Sequence, residues 1–437
     1  MNNCLLNNSL NEAQKLFDQD PNARKSFFRN AMTNNQLRND WTQDAHEMFD
    51  KMTLKGADSW NTLLLRLNKS QDPEGVYKCF LEMGRTGLTP NEYTVSILVS
   101  AVSRTEFKSL VPQIHAIVVC LGLNLSMIAG PALMKCYAHV GDVEGMARVF
   151  DEILVKDVAC WNALVSGYME VGCLKQAHKV FDKMPQRDIV SWTSLISGYI
   201  RNKWVNKARS MFNKMSERNV VAWTVMISGY VQSERFREAL KLFVLMLRSE
   251  IRPNQFTFSS VLDACAGCSY LVTGQQIHSI ILKFGVPKDL ILSASLVDMY
   301  SKCGDIDAAF CIFESMRKKN LVSWNSLIGG YARQGLGKRA LEEFDRMINS
   351  GIMPNQVTFV YILLACRDSA LLEEGERHFN SMDRKYAIQA RSEHYACMVE
   401  IYGKAGQLDK AEKLIKAMPF EPDVVVRGAF LRAFGQV

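Results

Sequence analysis

No run in this chain is both long and apolar enough to cross a bilayer. The most apolar stretch, Ile117 to Met134, is interrupted by Asn124, Ser126, Gly130 and Pro131, whereas a spanning helix needs about 20 consecutive, mostly apolar residues. No secretory leader or stop-transfer segment is present. The first residues include Glu12, Asp18 and Asp20, which an organelle transit peptide would avoid, so any import signal is expected upstream or absent. A phosphate-cradling loop of the GxxxxGK[ST] form is missing. The twelve cysteines are scattered, as Cys79, Cys136, Cys173 and Cys303 show, and the lone Cys-x-x-Cys, Cys265 to Cys268, has no second ligand pair near it. Free thiols in a reducing compartment follow, one in the core and one in a loop for that pair, with no metal site and no disulfide framework. Nothing here offers a catalytic residue, a cofactor site or a small-molecule substrate.

What is present is a repeat. In Ile189 to Asn219 the apolar residues Trp192, Leu195, Ile196, Tyr199 and Ile200 share one helical face. After a polar break at Arg201 to Lys203 a second stripe follows: Val205, Ala208, Met211, Phe212 and Met215. The unit is a helical hairpin, with Ser191 expected to cap the first helix and residues 216–219 closing the second. One hairpin cannot bury both stripes, so it requires neighbours of its own kind. Residues of the Trp192 class recur at Trp60, Val95, Trp161, Trp223, Phe258, Trp324 and Phe359. Units therefore begin at Ser26, Ala57, Glu92, Met127, Val158, Ile189, Val220, Gln255, Leu290, Leu321, Gln356 and Ser392. Ala57–Asn91 and Glu92–Ser126 have 35 residues; Met127–Asp157, Val158–Asp188 and Ile189–Asn219 have 31. The order 35, 35, 31 returns from Val220, Gln255 and Leu290. Such periods define a solenoid.

The 22% charged content argues against disorder, and the formal charge of +7 is a mild excess that suits a polyanion without requiring one. Met1 to Lys25 holds only a second-helix pattern, so the chain is expected to begin inside a unit. Ser26–Gly56 is degenerate, with Arg29 in the place of Trp192, and is expected to be the least stable part. Pro90, Pro253 and Pro354 end the second helices of 35-residue units. Residues 392–423 form a last short unit, and Val424 to Val437 offer one further helix.

The mixed periods, the openings VSWTSLISGY, VAWTVMISGY and VSWNSLIGGY, Gln276-Ile-His278, and Ala294–Lys302 before Cys303-Gly-Asp305 together resemble the plant pentatricopeptide repeat proteins of the PLS class. The match spans nearly the whole chain, with residues 26–391 as the array and VVVRGAFLRAFG from Val424 resembling the start of an E-type extension, here truncated. A tetratricopeptide solenoid has a uniform 34-residue period and mostly binds protein; the periods here differ from it. The resemblance implies an all-α, right-handed superhelix of helix-turn-helix repeats whose first helices hold single-stranded RNA, one base per unit. It implies two base-reading side chains per unit: the residue after the Trp, and the unit's last residue. The physical logic stands beside it. An ionised Asp only accepts, matching uracil N3–H or guanine N1–H; Asn can donate to ring nitrogens of cytosine or adenine; Thr or Ser leaves room for a purine and Asn for a pyrimidine.

On that rule Asn61 with Asn91 reads a pyrimidine, cytosine favoured, and Asn162 with Asp188 reads uracil. Thr193 with Asn219, and Thr224 with Asn254, read adenine. Asn325 with Asn355 reads cytosine or uracil. Ser96 with Ser126 and Ser259 with Asp289 belong to long units, which follow the rule poorly, and Pro131 and Ala294 cannot bond a base edge. The longest run, Val158 to Asn254, spells U-A-A from 5′ to 3′. Taken singly, such residues near helix ends are mostly caps and turn formers; their shared register carries the reading. The tryptophans are expected in the core, and Lys175, Arg187, Arg218 and Arg248 in solvent, some against phosphate. A deaminase domain would need His-x-Glu with Pro-Cys-x-x-Cys, and none of the seven histidines begins a His-x-Glu. The resemblance therefore implies a non-enzymatic site-recognition factor for C-to-U editing in mitochondria or chloroplasts, with a deaminase-bearing protein of the same family or another editing factor as partner. RNA stabilisation, processing or splicing by occupancy, and a protein-binding scaffold, are the alternatives.

Overall fold

The computed structural model describes Phe49 and residues 55–102, 110–120 and 129–434. The expectations for 1–25, for nearly all of the degenerate unit 26–56 and for Ser126 fall outside those residues. The described residues form 23 helices and no strand, divided between two compact units, Met1–Glu217 and Arg218–Val437. The first holds five hairpins, from Ala57–Lys69 with Pro73–Arg85 to Ile189–Arg201 with Val205–Lys214. The second holds six, from Val220–Gln232 with Phe236–Arg248 to Ser392–Lys404 with Leu408–Lys416, followed by the single helix Val424–Phe434. Within each, every first helix packs on its own second helix and on the first helix of the next hairpin. None of these helices is long and apolar enough to cross a membrane.

The apolar stripes explain the stacking. Leu195, Ile196 and Tyr199 of one helix, and Ala208, Met211 and Phe212 of its partner, are all buried. Burial of each large side chain contributes about 1.5–3 kcal/mol. Adjacent hairpins are joined edge-to-face by rings: Phe49 on Trp60, Phe150 on Trp161, Phe181 on Trp192 and Phe313 on Trp324, with centroids 4.6–4.8 Å apart. The tryptophans thus serve the core, as their place at the head of each stripe suggests. A polar link runs beside the rings. His115, His178 and His278 on second helices meet Tyr137, Tyr199 and Tyr300 of the following first helices, each at 3.0 Å.

The cap of the reference unit differs from expectation. Ile189–Arg201 is capped by Asp188, whose Oδ1 accepts the Ser191 N–H, while Ser191 lies inside the first turn and its hydroxyl accepts the Asp188 N–H. The helix starts at Ile189, two residues before Ser191, because this reciprocal box satisfies two otherwise bare N–H groups. Asn254, Asn320 and Asn355 form the same reciprocal box, while Asp157, Asn219 and Asp289 cap their helices by accepting one N–H without the return bond. Second helices of the 35-residue units beginning at Ala57, Val220 and Leu321 stop at Arg85, Arg248 and Asn349, ahead of buried Pro90, Pro253 and Pro354. Cys265 is buried and Cys268 is the half-buried last residue of Gln255–Cys268, not a loop thiol; both are free.

Candidate nucleic-acid interface

Where a unit ends in Asn or Asp, that residue caps the next helix, and in three units this brings it beside the residue after the Trp. In the Ala57 unit, Asn61 Nδ2 donates to Asn91 Oδ1 at 3.2 Å. Asn325 Nδ2 does the same to Asn355 Oδ1 at 3.3 Å, and Asn162 Nδ2 to Asp188 Oδ1 at 3.4 Å. These are three of the expected pairs, joined side chain to side chain across 26 to 30 residues. Thr224 and Asn254 meet through Thr257: its hydroxyl lies 2.7 Å from Thr224 Oγ1 and 2.9 Å from Asn254 Oδ1. Thr193 donates to the Ile189 and Val190 carbonyls of its own helix, while Asn219 caps Val220–Gln232 in the other compact unit. No hydrogen bond joins Ser259 to Asp289. Ser259 pairs with Ser295 at 2.6 Å, and Asp289 accepts the Leu292 N–H.

Capping and base reading do not exclude one another in this geometry. The cap uses only Oδ1 of each terminal residue, leaving Oδ2 of Asp188, and Nδ2 of Asn91 and Asn355, on exposed side chains without a protein partner. Burial by itself would raise the Asp188 pKa. Hydrogen bonds from the Ser191 hydroxyl and N–H and from the Asn162 amide outweigh it and hold the carboxyl below its ordinary value. Asp188 is therefore a pure acceptor at neutral pH, whereas Asn91 and Asn355 offer donors.

The pair Asn325 and Asn355 opens into a groove section of about 480 Å³ built from consecutive first helices. Flanking the pair are Ile291, Val322 and Val357, each the second residue of its unit. The same slot holds Tyr93, Val190, Val221 and Phe256. All seven are 47–60% exposed, unusual for large apolar side chains at a regularly repeated position. Sequence reasoning missed this row. Its signal was an apolar residue one place off the buried stripe in unit after unit. Arg187 is exposed, as expected, and also closes a second helix by donating to the Phe181 and Asp182 carbonyls.

Tandem helical hairpins stacked first helix on first helix, with polar pairs bonded in three of them, define a helical solenoid repeat protein. Its sequence matches the PPR repeat family over residues 55–104, 218–267 and 319–368, and the PPR repeat over 132–158, 159–189, 190–220, 294–321 and 393–421. The chain belongs to that family. It is 31% identical over 407 residues to the mitochondrial pentatricopeptide repeat-containing protein At2g03880 of Arabidopsis thaliana, covering 93% of this chain and 54% of the relative. With the Arabidopsis mitochondrial protein At1g77170 the identity is 30%, over 86% of this chain and 69% of the relative. The chain spans about half the length of the curated relatives it matches. Among solved structures it resembles the maize pentatricopeptide repeat protein PPR10 with a TM-score of 0.73 at 19% identity, over 95% of this chain and 60% of that one. It also resembles PPR10 in complex with an 18-nt psaJ RNA element, with a TM-score of 0.71 at 20% identity, over 96% of this chain and 63% of that one.

Proposed function

We propose that this protein binds a single RNA strand in sequence-specific fashion, one base per unit, and acts as a site-recognition factor for C-to-U editing in a plant organelle, the deaminase being supplied by a partner. The observation that carries this reading is the repeated polar pair, Asn61 with Asn91 and Asn325 with Asn355, bonded together with one polar atom left exposed. The flanking apolar row offers flat-faced contacts for stacked bases, while the terminal residue reads the edge. Kinship supports it: relatives are named mitochondrial, and the similar maize fold has been seen with an 18-nt RNA. The 35, 35, 31 alternation supports a PLS-class array over residues 26–391, a final short unit at 392–423 and the start of an E-type extension at 424–437.

Binding to RNAs of about twenty nucleotides tests base reading. U-A-A under Val158–Asn254 is expected to be preferred over scrambled RNA, and Thr193→Asn to weaken the adenine preference at one position by roughly 1–3 kcal/mol, by analogy with other bidentate base contacts. No preference for U-A-A would defeat the reading. Editing of organelle transcripts in plants lacking the protein separates site recognition from occupancy: unchanged editing with altered transcript ends would favour stabilisation or processing.

A further inference from the structure

The hydrogen bonds around Asn61 and Asn325 repeat one another, and their directions can be worked out from a donor that has no choice. The Thr94 backbone N–H can only donate, so Asn91 turns Oδ1 towards it at 2.9 Å. That oxygen also faces Asn61, which must answer with Nδ2 at 3.2 Å. The buried Asn61 Oδ1 is then left to the Thr94 hydroxyl at 2.5 Å. A hydroxyl has one proton, and this contact takes it ahead of the longer 2.9 Å approach to Asn91 Oδ1. The other set matches it bond for bond: Thr358 N–H to Asn355 Oδ1 at 3.0 Å, Asn325 Nδ2 to Asn355 Oδ1 at 3.3 Å, and the Thr358 hydroxyl to Asn325 Oδ1 at 2.7 Å. Thr257 points the same way. Thr224 gives its proton to the Val220 carbonyl at 2.7 Å, so the 2.7 Å contact between hydroxyls is donated by Thr257.

We propose that the third residue of the following unit, Thr94 or Thr358, is a positioning residue that sharpens the choice of cytosine over uracil. It rests on the base-reading function above and adds a residue which that function does not contain. By fixing the buried Asn amide, the hydroxyl adds a second donor, beside the backbone N–H, that holds the terminal Asn Oδ1 inward and turns both its N–H groups towards the strand. Those donors match the neighbouring N3 and O2 acceptors of cytosine and oppose the N3–H of uracil. Without the hydroxyl the buried Asn oxygen loses its donor and that amide can turn over, so the terminal Asn keeps only the backbone N–H of its two donors, and turning its Oδ1 towards uracil costs one hydrogen bond fewer. Asp-ended units need no such lock because the two carboxylate oxygens are equivalent. In the Val158 unit the Ser191 hydroxyl accordingly goes to Asp188 Oδ1 at 2.7 Å, and the buried Asn162 Oδ1 has no partner.

The test is selection of randomised single-stranded RNA on the full chain, followed by sequencing of the enriched pool. Asn355→Asp first marks the position read by the Leu321–Asn355 unit, since its preference moves to uracil. At that position Thr358→Val is expected to lower the cytosine-to-uracil ratio about fivefold or more, the scale of one hydrogen bond, and Thr358→Ser to restore it. In the Asn355→Asp background Thr358→Val should leave the uracil preference in place. Thr94→Val repeats the test in the Ala57–Asn91 unit if the other variant melts below the assay temperature. If Asn355→Asp moves no position, base reading itself fails. If it does, yet the threonine-to-valine changes leave the ratio intact or weaken all bases equally, the positioning role alone is overturned.

Discussion

Asp263 shows what the groove does to a carboxylate that caps nothing. It stands on the groove wall facing Asp298, where withheld solvent, and then the Asp298 charge, push its pKa to about 6 against the pull of Lys302. A carboxyl raised in the folded state favours folding when protonated: that contribution is fully present below the unfolded value of about 3.9 and is lost as pH rises through about 6. Asp263→Asn is expected to raise stability at pH 7.5 by about 1 kcal/mol, a figure reduced for the side chain's exposure to solvent. At pH 4 it should change little. Thermal melts at the two pH values check this, and an equal shift at both would contradict it. At this scale the sequence was only partly legible. The family resemblance, applied in register, singled out Asn61, Asn91, Asn162, Asp188, Asn325 and Asn355. The part played by Thr94 and Thr358 was not visible, because a threonine in a first helical turn looks like any back-bonding hydroxyl until the residue 33 places earlier is set beside it.

Helices were the most readable objects in the chain. Alternating apolar stripes and polar breaks located both helices of the Ile189 unit, since a face of period 3.6 has to be buried somewhere and only a neighbouring hairpin can cover it. Starts were less readable: Ser191 and Asp188 both suit a cap, and the choice depends on backbone direction. The last helix is the most closely seated. A Cβ placed on Gly403 of Ser392–Lys404 would lie 2.9 Å from the Ala433 Cα and closer still to its Cβ, so the two helices touch through a position that tolerates no side chain. Arg432 reinforces the contact by donating to Glu400 at 2.6 and 3.0 Å. Gly403→Ala is expected to cost about 1–3 kcal/mol locally. It should release amide-exchange protection in Val424–Phe434 before that of the earlier hairpins; uniform loss through the chain would argue that the helix is not an independent terminal layer.

For the molecule as a whole, the net charge of +7 and the proposed RNA-binding function give a prediction that separates an RNA strand from a polypeptide. Raising monovalent salt from 50 to 200 mM should weaken RNA binding at least tenfold, roughly 0.7 of a logarithmic unit per logarithm of salt for each phosphate neutralised on a single strand. Titrations at several salt concentrations measure it, and a flat response would favour a protein ligand. Period and length predicted the solenoid because stacking is a nearest-neighbour problem. The exposed row at Val190, Val221, Ile291, Val322 and Val357 stayed hidden, since periodicity fixes rise along the stack but not which way an unburied side chain faces. One consequence reaches past binding. On the proposed reading, the Asn or Asp that caps a first helix is also the side chain that reads the base, so in those units the recognition alphabet is restricted to short polar groups able to satisfy a bare first turn. A lysine or glutamine there would reach further towards a nucleotide and leave the next hairpin without its starting bond. Reprogramming this face therefore has to draw its letters from those that folding already permits.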